Sequence, residues 1–310
     1  PAALIHDIVK KFPEESHIHL THPYQDNEAL FLLTCGRSSF KIPAISADQF
    51  PPIVVNQLPH TFTLPSCELR ALIDRTRFAM AFEEGRYATM GLYLHPVEKT
   101  LRCTATDSRR LAMHDIDRPE GTQDMPGVIL GRKIVHELIK VLPTKASNPV
   151  KVSLSAHQIC FQLEEFTLYS RLVEGRFPRY DAAIANPESP CVLDLNVKEF
   201  SDAIERISIV LSQDSGKMLR VHLKDNTITL SGYSPEYGFA EEILNTKYVG
   251  DTIDLGFNPR HLLDVCQQID GDTLSITLKD SQAPVQFRDT KNPQSLYVVM
   301  PSSLEPTPSS

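Results

Sequence analysis

The residues best able to do chemistry are scattered along the chain. The segment "HIHLTH" sets His17 and His19 two apart on one side of a strand, a spacing at which imidazoles could share a metal ion, but two ligands do not complete a coordination set. The six cysteines (Cys35, Cys67, Cys103, Cys160, Cys191 and Cys266) lie far apart and never form a CxxC pair. They read as reduced, mostly buried thiols rather than a disulfide framework or a zinc site. "QDSGK" ends in Gly216-Lys217 without the earlier glycines of a phosphate loop and reads as a turn. GxSxG, HExxH and dinucleotide fingerprints are absent. Of the 39 Asp and Glu residues, no pair stands in a conspicuous apolar setting suited to acid–base work. The expectation is a protein with no catalytic centre, no metal and no cofactor.

Two features point to binding instead. In "SRLVEGRFPRYDAAI" (170–184) a strand-like run breaks at a glycine, an aromatic residue, a proline and another aromatic residue. Gly175 allows a tight bend, and Pro178 fixes the backbone and removes a donor, so the chain leaves its strand there. By itself this pattern fits either a strand end packed in a core or the wall of a site. The second feature is basic. Lys10, Arg70, Arg75, Lys133, Lys140, Lys198, Arg206 and Arg260 fall opposite the apolar stripes of successive helices, with Asp74, Glu137, Asp202 and Glu205 interspersed. On one helix this is a solvated face with ion pairs. Its recurrence in every unit of a chain of net charge −8 points to a local positive surface that would read phosphates without sequence preference.

The elements that must position these residues follow from periodicity. Amphipathic helices are expected in "LIHDIVKKF", in "CELRALIDRTRFAM" through Leu69, Leu72, Ile73 and Thr76, and in "RKIVHELIKVL" through Val135, Leu138, Ile139 and Leu142. Two more are "KEFSDAIERISIVL", through Phe200, Ile204 and Ile207, and "PRHLLDVCQQI", through Leu262, Val265, Cys266 and Ile269. Alternating strand patterns follow each helix, so the order is helix then strands, five times. "FTLPSCELRALIDRTRF" resembles "LDLNVKEFSDAIERISI" about 131 residues later, a period too long for a solenoid and suited to repeated domains. "FPPIVVNQLPH" and "ANPESP" separate the blocks. The fold class is α+β, with two strand layers per domain and helices along one side.

At 310 residues, 41% hydrophobic and 23% charged, the composition is that of a soluble globular protein of two or three domains. No apolar run reaches the roughly 18 residues of a membrane span, and "PAALIHDIVKKFPEE" lacks the layout of a signal peptide, so no membrane role and a cytoplasmic location are expected. The initial proline suggests a processed or truncated start.

Four motifs, "GRSSFKIPAISADQFP", "TATDSRRLAM", "GRFPRY" and "LYVVMPSSL", resemble in kind and order those of the bacterial DNA polymerase III beta sliding clamp family, a resemblance that spans essentially the whole chain. It implies the DNA clamp fold, in which two subunits of three similar domains form a head-to-tail ring, helices line a pore around duplex DNA and antiparallel sheets lie outside. Residues 1–54 would be the second half of a first domain whose first half is absent, 60–185 a second domain, 190–304 a third, and 305–310 a polar tail. The natural protein would be longer.

The implied function is non-catalytic. The ring would tether the replicative polymerase to double-stranded DNA, without sequence preference, and raise its effective concentration at the primer end. Implied partners are the DNA polymerase III catalytic subunit, an ATP-driven clamp loader, and other clamp-binding proteins such as repair polymerases, ligase and mismatch-repair proteins. The resemblance places a partner-peptide pocket at Arg86, Thr106, Arg110, Leu111, Pro178, Val298, Val299, Met300 and Pro301, with Asn258 and His261 at its edge. DNA contact falls to Arg132 and Lys133 by motif match, with Lys140, Lys10, Arg75 and Lys198 added from the helix faces. Subunit contact falls to Phe40, Val210 and Leu211.

The chain also departs from the family pattern. Ser108-Arg109 replaces a usual Gly-His, Ser302-Ser303-Leu304 followed by "EPTPSS" replaces the usual end, and Glu83 stands where a polar DNA-facing residue is usual. A peptide-binding scaffold of clamp fold that does not encircle DNA, and an enzyme with an unrecognised site, are the competing classes.

Overall fold

The structure is a computed structural model and describes residues 2–21, 30–45, 47–50, 57–82, 87–144, 147–185, 190–211 and 218–302. The chain divides into two compact units, Pro1–Val55 and Asn56–Ser310.

In the first unit, helix α1 (Ala2–Val9) precedes the strands β1 (Ile18–Thr21), β2 (Leu30–Cys35) and β3 (Ser38–Pro43), which form an antiparallel sheet in that order. Gly36, at φ +55, supplies the left-handed residue that the β2–β3 hairpin needs. Leu33, Cys35 and Ile42 are buried, and Phe12 meets Phe40 edge to face at 5.9 Å.

The second unit runs β4 (His60–Pro65), α2 (Ser66–Asp74), β5 (Gly91–Val97), β6 (Thr100–Thr106) and β7 (Arg110–Asp117), then β8 (Val128–Gly131), α3 (Arg132–Val141), β9 (Pro149–Leu154), β10 (Gln158–Gln162) and β11 (Thr167–Arg171). After the single turn α4 (Asp181–Ile184) come β12 (Cys191–Asn196), α5 (Val197–Leu211), β13 (Leu219–Lys224), β14 (Thr227–Ser234) and β15 (Gly238–Asn245). The last block is β16 (Ile253–Phe257), α6 (Pro259–Cys266), β17 (Thr273–Leu278), β18 (Val285–Asp289) and β19 (Asn292–Val299).

Strand, helix and three strands thus repeat four times among the described residues. The expected helix-then-strands order lacked the leading strand of each block. "HTFTLP", "VILG", "CVLDLN" and "IDLGF" run straight into their helices and are too short to show a strand period of their own, so a periodic reading leaves them unassigned. Each leading strand pairs with the sheet of its neighbouring block: β4 with β9, β8 with β5, β12 with β17 and β16 with β13. This exchange ties the blocks together two by two.

The helices start and stop for local reasons. Asn258 caps α6 by accepting from the Arg260 N–H at 3.0 Å, with Pro259 at the first helical position. The Asn196 side chain accepts from the Lys198 and Glu199 N–H groups, each at 3.0 Å, at the start of α5. α2 ends at Asp74, so Thr76, expected on its apolar stripe, lies beyond it; its buried hydroxyl instead donates to the Leu72 carbonyl at 2.6 Å. Arg70 donates to the Ile139 carbonyl at 3.0 Å and to that of Leu142, satisfying carbonyls at the end of α3 and joining α2 to it.

β7 and β19 pair in the register Ser295↔His114 to Val299↔Arg110. That pairing merges two four-stranded sheets into one of eight, β12-β17-β18-β19-β7-β6-β5-β8.

Candidate functional site

In the β7–β19 pair, alternation sends Ala112, Tyr297 and Val299 into the main core. On the opposite face Leu111, Met113, Leu296 and Val298 form a separate apolar cluster, with Tyr180 and Ile184 packed on it. Two adjacent strands apolar on both faces need a second cover. On this face it is the short segment carrying α4.

The rim is built from turns and ion pairs. Asp107 accepts at its Oδ1 from the N–H groups of Arg109 and Arg110, both at 2.9 Å. The Thr106 hydroxyl donates to the Arg110 carbonyl at 2.7 Å, and the Ser108 N–H donates to that hydroxyl at 3.1 Å. Ser108 holds φ +75, a conformation that favours glycine. The Met300 N–H donates to the Arg109 carbonyl at 2.8 Å, and the Ser302 N–H to that of Gly256 at 2.8 Å. Arg110, only 9% exposed in its side chain, pairs with Asp107 at 3.0 Å and with Asp264 of α6, and donates to the Phe78 carbonyl at 2.9 Å. Burial and then the Arg110 charge push His261 below its ordinary pKa.

Among the expected pocket residues, Thr106, Arg110, Leu111, Val298, Met300 and Pro301 come together at the facing ends of β7 and β19. Asn258 and His261 stand at the start of α6, which Arg110 ties to β7. Pro178 is exposed, between buried Phe177 and half-buried Tyr180. Val299 is a correction: it is fully buried and faces the main core, because it sits one residue out of phase with Leu296 and Val298. Arg86 and Glu83 lie outside the described residues. Met113, Leu296, Tyr180 and Ile184 were missed, although the alternation in "RLAMHD" and "SLYVVM" carries the first two.

The charged faces divide in two. Lys133 and Lys140 are exposed on α3, with Lys140 bonded to Glu137 at 2.9 Å, and Lys198 is exposed at the start of α5. Lys10 is exposed just past α1 in the first unit. Arg132 donates to the Ala81 carbonyl and lies over the Phe82 ring at 3.9 Å. Arg75, expected to face DNA, is instead committed within the protein. It donates to the Gln268 carbonyl at 2.8 Å and pairs with Asp270, leaving its side chain 15% exposed. The residues on α2 read as a solvated face, but this one reaches the chain beyond α6.

Of the expected subunit contacts, Phe40 and Val210 are half-buried. Leu211 is 3% exposed and packed so closely on Gly232 that a Cβ there would meet it at 2.9 Å. It continues the inward stripe of Phe200, Ile204 and Ile207, which leaves Ile209, 71% exposed, facing outward. Among the described residues no three His, Cys, Asp or Glu side chains cluster in a way that could hold a metal, and no helix is long and apolar enough to cross a membrane.

Residues 63–179 match the DNA polymerase III beta subunit, central domain, and residues 187–303 its C-terminal domain. The chain is 32% identical to the beta sliding clamp of Caulobacter vibrioides over 305 residues, covering 97% of this chain and 81% of that protein. It is 32% identical to the beta sliding clamp of Escherichia coli K12 over 309 residues, with 98% and 81% covered. Among solved structures, the sliding clamp (DNA polymerase III subunit beta) of Bartonella birtlesii bound to griselimycin superposes with a TM-score of 0.89 at 35% identity, covering 98% of this chain and 81% of that one. With two domain matches over most of its length and a fold of helices on antiparallel sheets, the chain belongs to the bacterial DNA polymerase III beta sliding clamp family, non-catalytic processivity factors of that polymerase.

Proposed function

We propose that the apolar cluster on the outer face of the β7–β19 pair is the site where this clamp holds short hydrophobic peptide segments of its partners. Leu111, Val298, Met300 and Pro301 supply apolar contact, Pro178 the side wall, and Arg110, Thr106, Asn258 and His261 the polar rim; Arg86, carried over from the family resemblance, lies outside the described residues. The observation that carries this reading is the cluster itself: four apolar side chains apart from the main core, with Tyr180 and Ile184 packed on them among the described residues. A floor of this kind, with a flexible methionine 38% exposed at its rim, suits one apolar motif presented by many proteins. Those partners are the DNA polymerase III catalytic subunit, the clamp loader, and repair polymerases, ligase and mismatch-repair proteins.

The remaining assignments complete the ring. Residues 60–185 and 190–304 act as two clamp domains and 1–54 as part of another. Two copies close head to tail around duplex DNA in the cytoplasm, with Phe40 of one copy meeting Val210 and Ile209 of the other. Lys10, Arg132, Lys133, Lys140 and Lys198 face the phosphates weakly enough for sliding. The test is fluorescence anisotropy with a labelled QLxLF-type peptide. Saturable binding that weakens tenfold or more in Met300→Ala and Pro178→Ala supports the site. A folded chain that binds no peptide, or binds it equally in both variants, rules it out.

A further inference from the structure

The segment from Leu172 to Ala185 has only the one-turn α4 as regular structure, yet it must present Pro178 and hold Tyr180 and Ile184 on the apolar cluster. Its ends are tied by backbone and amide bonds. The Leu172 N–H donates to the His157 carbonyl and the Val173 N–H to that of Ile129, both at 2.9 Å, and the buried Gln286 side chain donates to the Ala185 carbonyl at 2.8 Å.

The middle is held by rings. Tyr93 and His95 are two apart on β5 and so share a face. Phe177 stacks on Tyr93 at 4.8 Å and 9°, and Tyr93 stacks on His95 at 4.1 Å and 20°. Tyr180 stands edge-on to His95 at 6.0 Å and to Phe177 at 6.3 Å, and its hydroxyl is 2.8 Å from His95 Nε2. Behind the stack, His95 pairs with Arg102 across the sheet and Arg102 with Asp115, whose carboxylate it grips through two bonds of 2.7 Å. Burial first, and then the Arg102 charge, keep the His95 ring neutral, with a pKa pushed down to about 4.

We infer that His95 and Tyr180 are positioning residues of the partner site: their hydrogen bond, within the Phe177–Tyr93–His95 stack, pre-forms the wall that an incoming peptide meets. This rests on the peptide-site reading above. Tyr180 links the two features, because one side chain touches both the stack and the cluster. A segment of 14 residues ordered only on binding would spend part of the interaction energy on its own immobilisation; an anchored one does not.

The test uses the whole chain and the labelled QLxLF-type peptide. Tyr180→Phe keeps the ring and removes the hydroxyl, His95→Leu removes its imidazole partner, and His95→Gln restores a hydrogen-bonding group near the Nε2 position. Tyr180→Phe and His95→Leu are expected to raise Kd about five- to tenfold, a loss on the scale of one hydrogen bond and the order it imposes. His95→Gln should recover most of the affinity, which a purely structural loss would not allow. Hydrogen exchange of residues 173–185 without peptide should speed up in the first two variants and not in the third. Wild-type binding that all three variants match, or exchange unchanged by Tyr180→Phe, overturns the inference and leaves the site standing. No binding by the folded wild type removes the site and the inference together.

Discussion

β7 and β15 hold the same place in their blocks, the third strand after the helix, and meet opposite fates. β7 is paired on both sides, with Leu111, Ala112, Met113, His114 and Ile116 buried. Among the described residues β15 is paired only to β14 and ends its sheet, with Phe239 63% and Ile243 62% exposed on one face. Two large apolar side chains exposed on an edge strand, with Glu241 between them on the same face, form an edge that charge protects only in part. Its inner face is secured, since Glu242 is gripped by Arg206 of α5 through two bonds of 2.7 Å. The same unit of structure thus supplies an internal seam in one block and, among the described residues, an open edge in the other.

The largest expected difference between these seams is in folding stability. Tyr297→Ala, removing a fully buried ring from the β7–β19 seam, should cost about 4 kcal/mol, whereas Phe239→Ser should change stability by less than about 0.5 kcal/mol. Denaturant midpoints read both, and equal losses would erase the distinction.

A second difference is in pH response. His114 on β7 is buried, with Nδ1 2.9 Å from the Ser295 hydroxyl. Burial and then the Arg75 charge push its pKa from 6.5 to about 4. The folded state therefore binds fewer protons than the unfolded state between those values. Stability is complete above about pH 6.5 and falls as the pH drops toward 4, by roughly 3 kcal/mol from this group. Urea titrations of wild type and His114→Gln between pH 7 and 4.5 should diverge, with the variant less pH-sensitive; parallel curves would show that His114 does not contribute.

Arg75 sharpens the comparison further. A double-mutant cycle with Asp270→Ala should give a coupling of about 1 kcal/mol, modest because Asp270 is largely exposed. In DNA binding, Lys133→Ala and Lys140→Ala should each lower the salt slope by about 1 while Arg75→Ala leaves it unchanged. A lowered slope for Arg75→Ala would return it to the DNA surface. The smallest effect belongs to the turn beside β7, where Ser108→Gly should relieve the φ +75 strain and stabilise by about 0.5–1 kcal/mol in thermal melts.

Local pattern made much of this legible. Helical stripes placed all the longer helices, and four motifs in order identified the family. Reading failed where a residue's role depends on what lies beyond its own element. Arg75 follows a clear periodic pattern, but it bonds a carbonyl and a carboxylate more than 190 residues away, at separations of 193 and 195. The leading strands were hidden because four to six residues that run into a helix offer too few alternations. Leu211 and Ile209 are two apart on α5, so naming the helix end as an apolar contact without its phase chose the inward residue over the outward one. Phe177 and Tyr180 stood out in "GRFPRY", but their partners Tyr93 and His95 had no sequence signal, since they sit on a strand about 85 residues away and look like ordinary sheet residues until the fold sets them together.

Sedimentation velocity of the chain over a range of concentrations, beside Phe239→Asp and Ile209→Asp, tests most directly whether the open seam joins copies. The account predicts a concentration-dependent dimer for the wild type and monomers for both variants, with their folding stability unchanged. A wild type that remains monomeric at every concentration, or variants that dimerise as the wild type does, would contradict it.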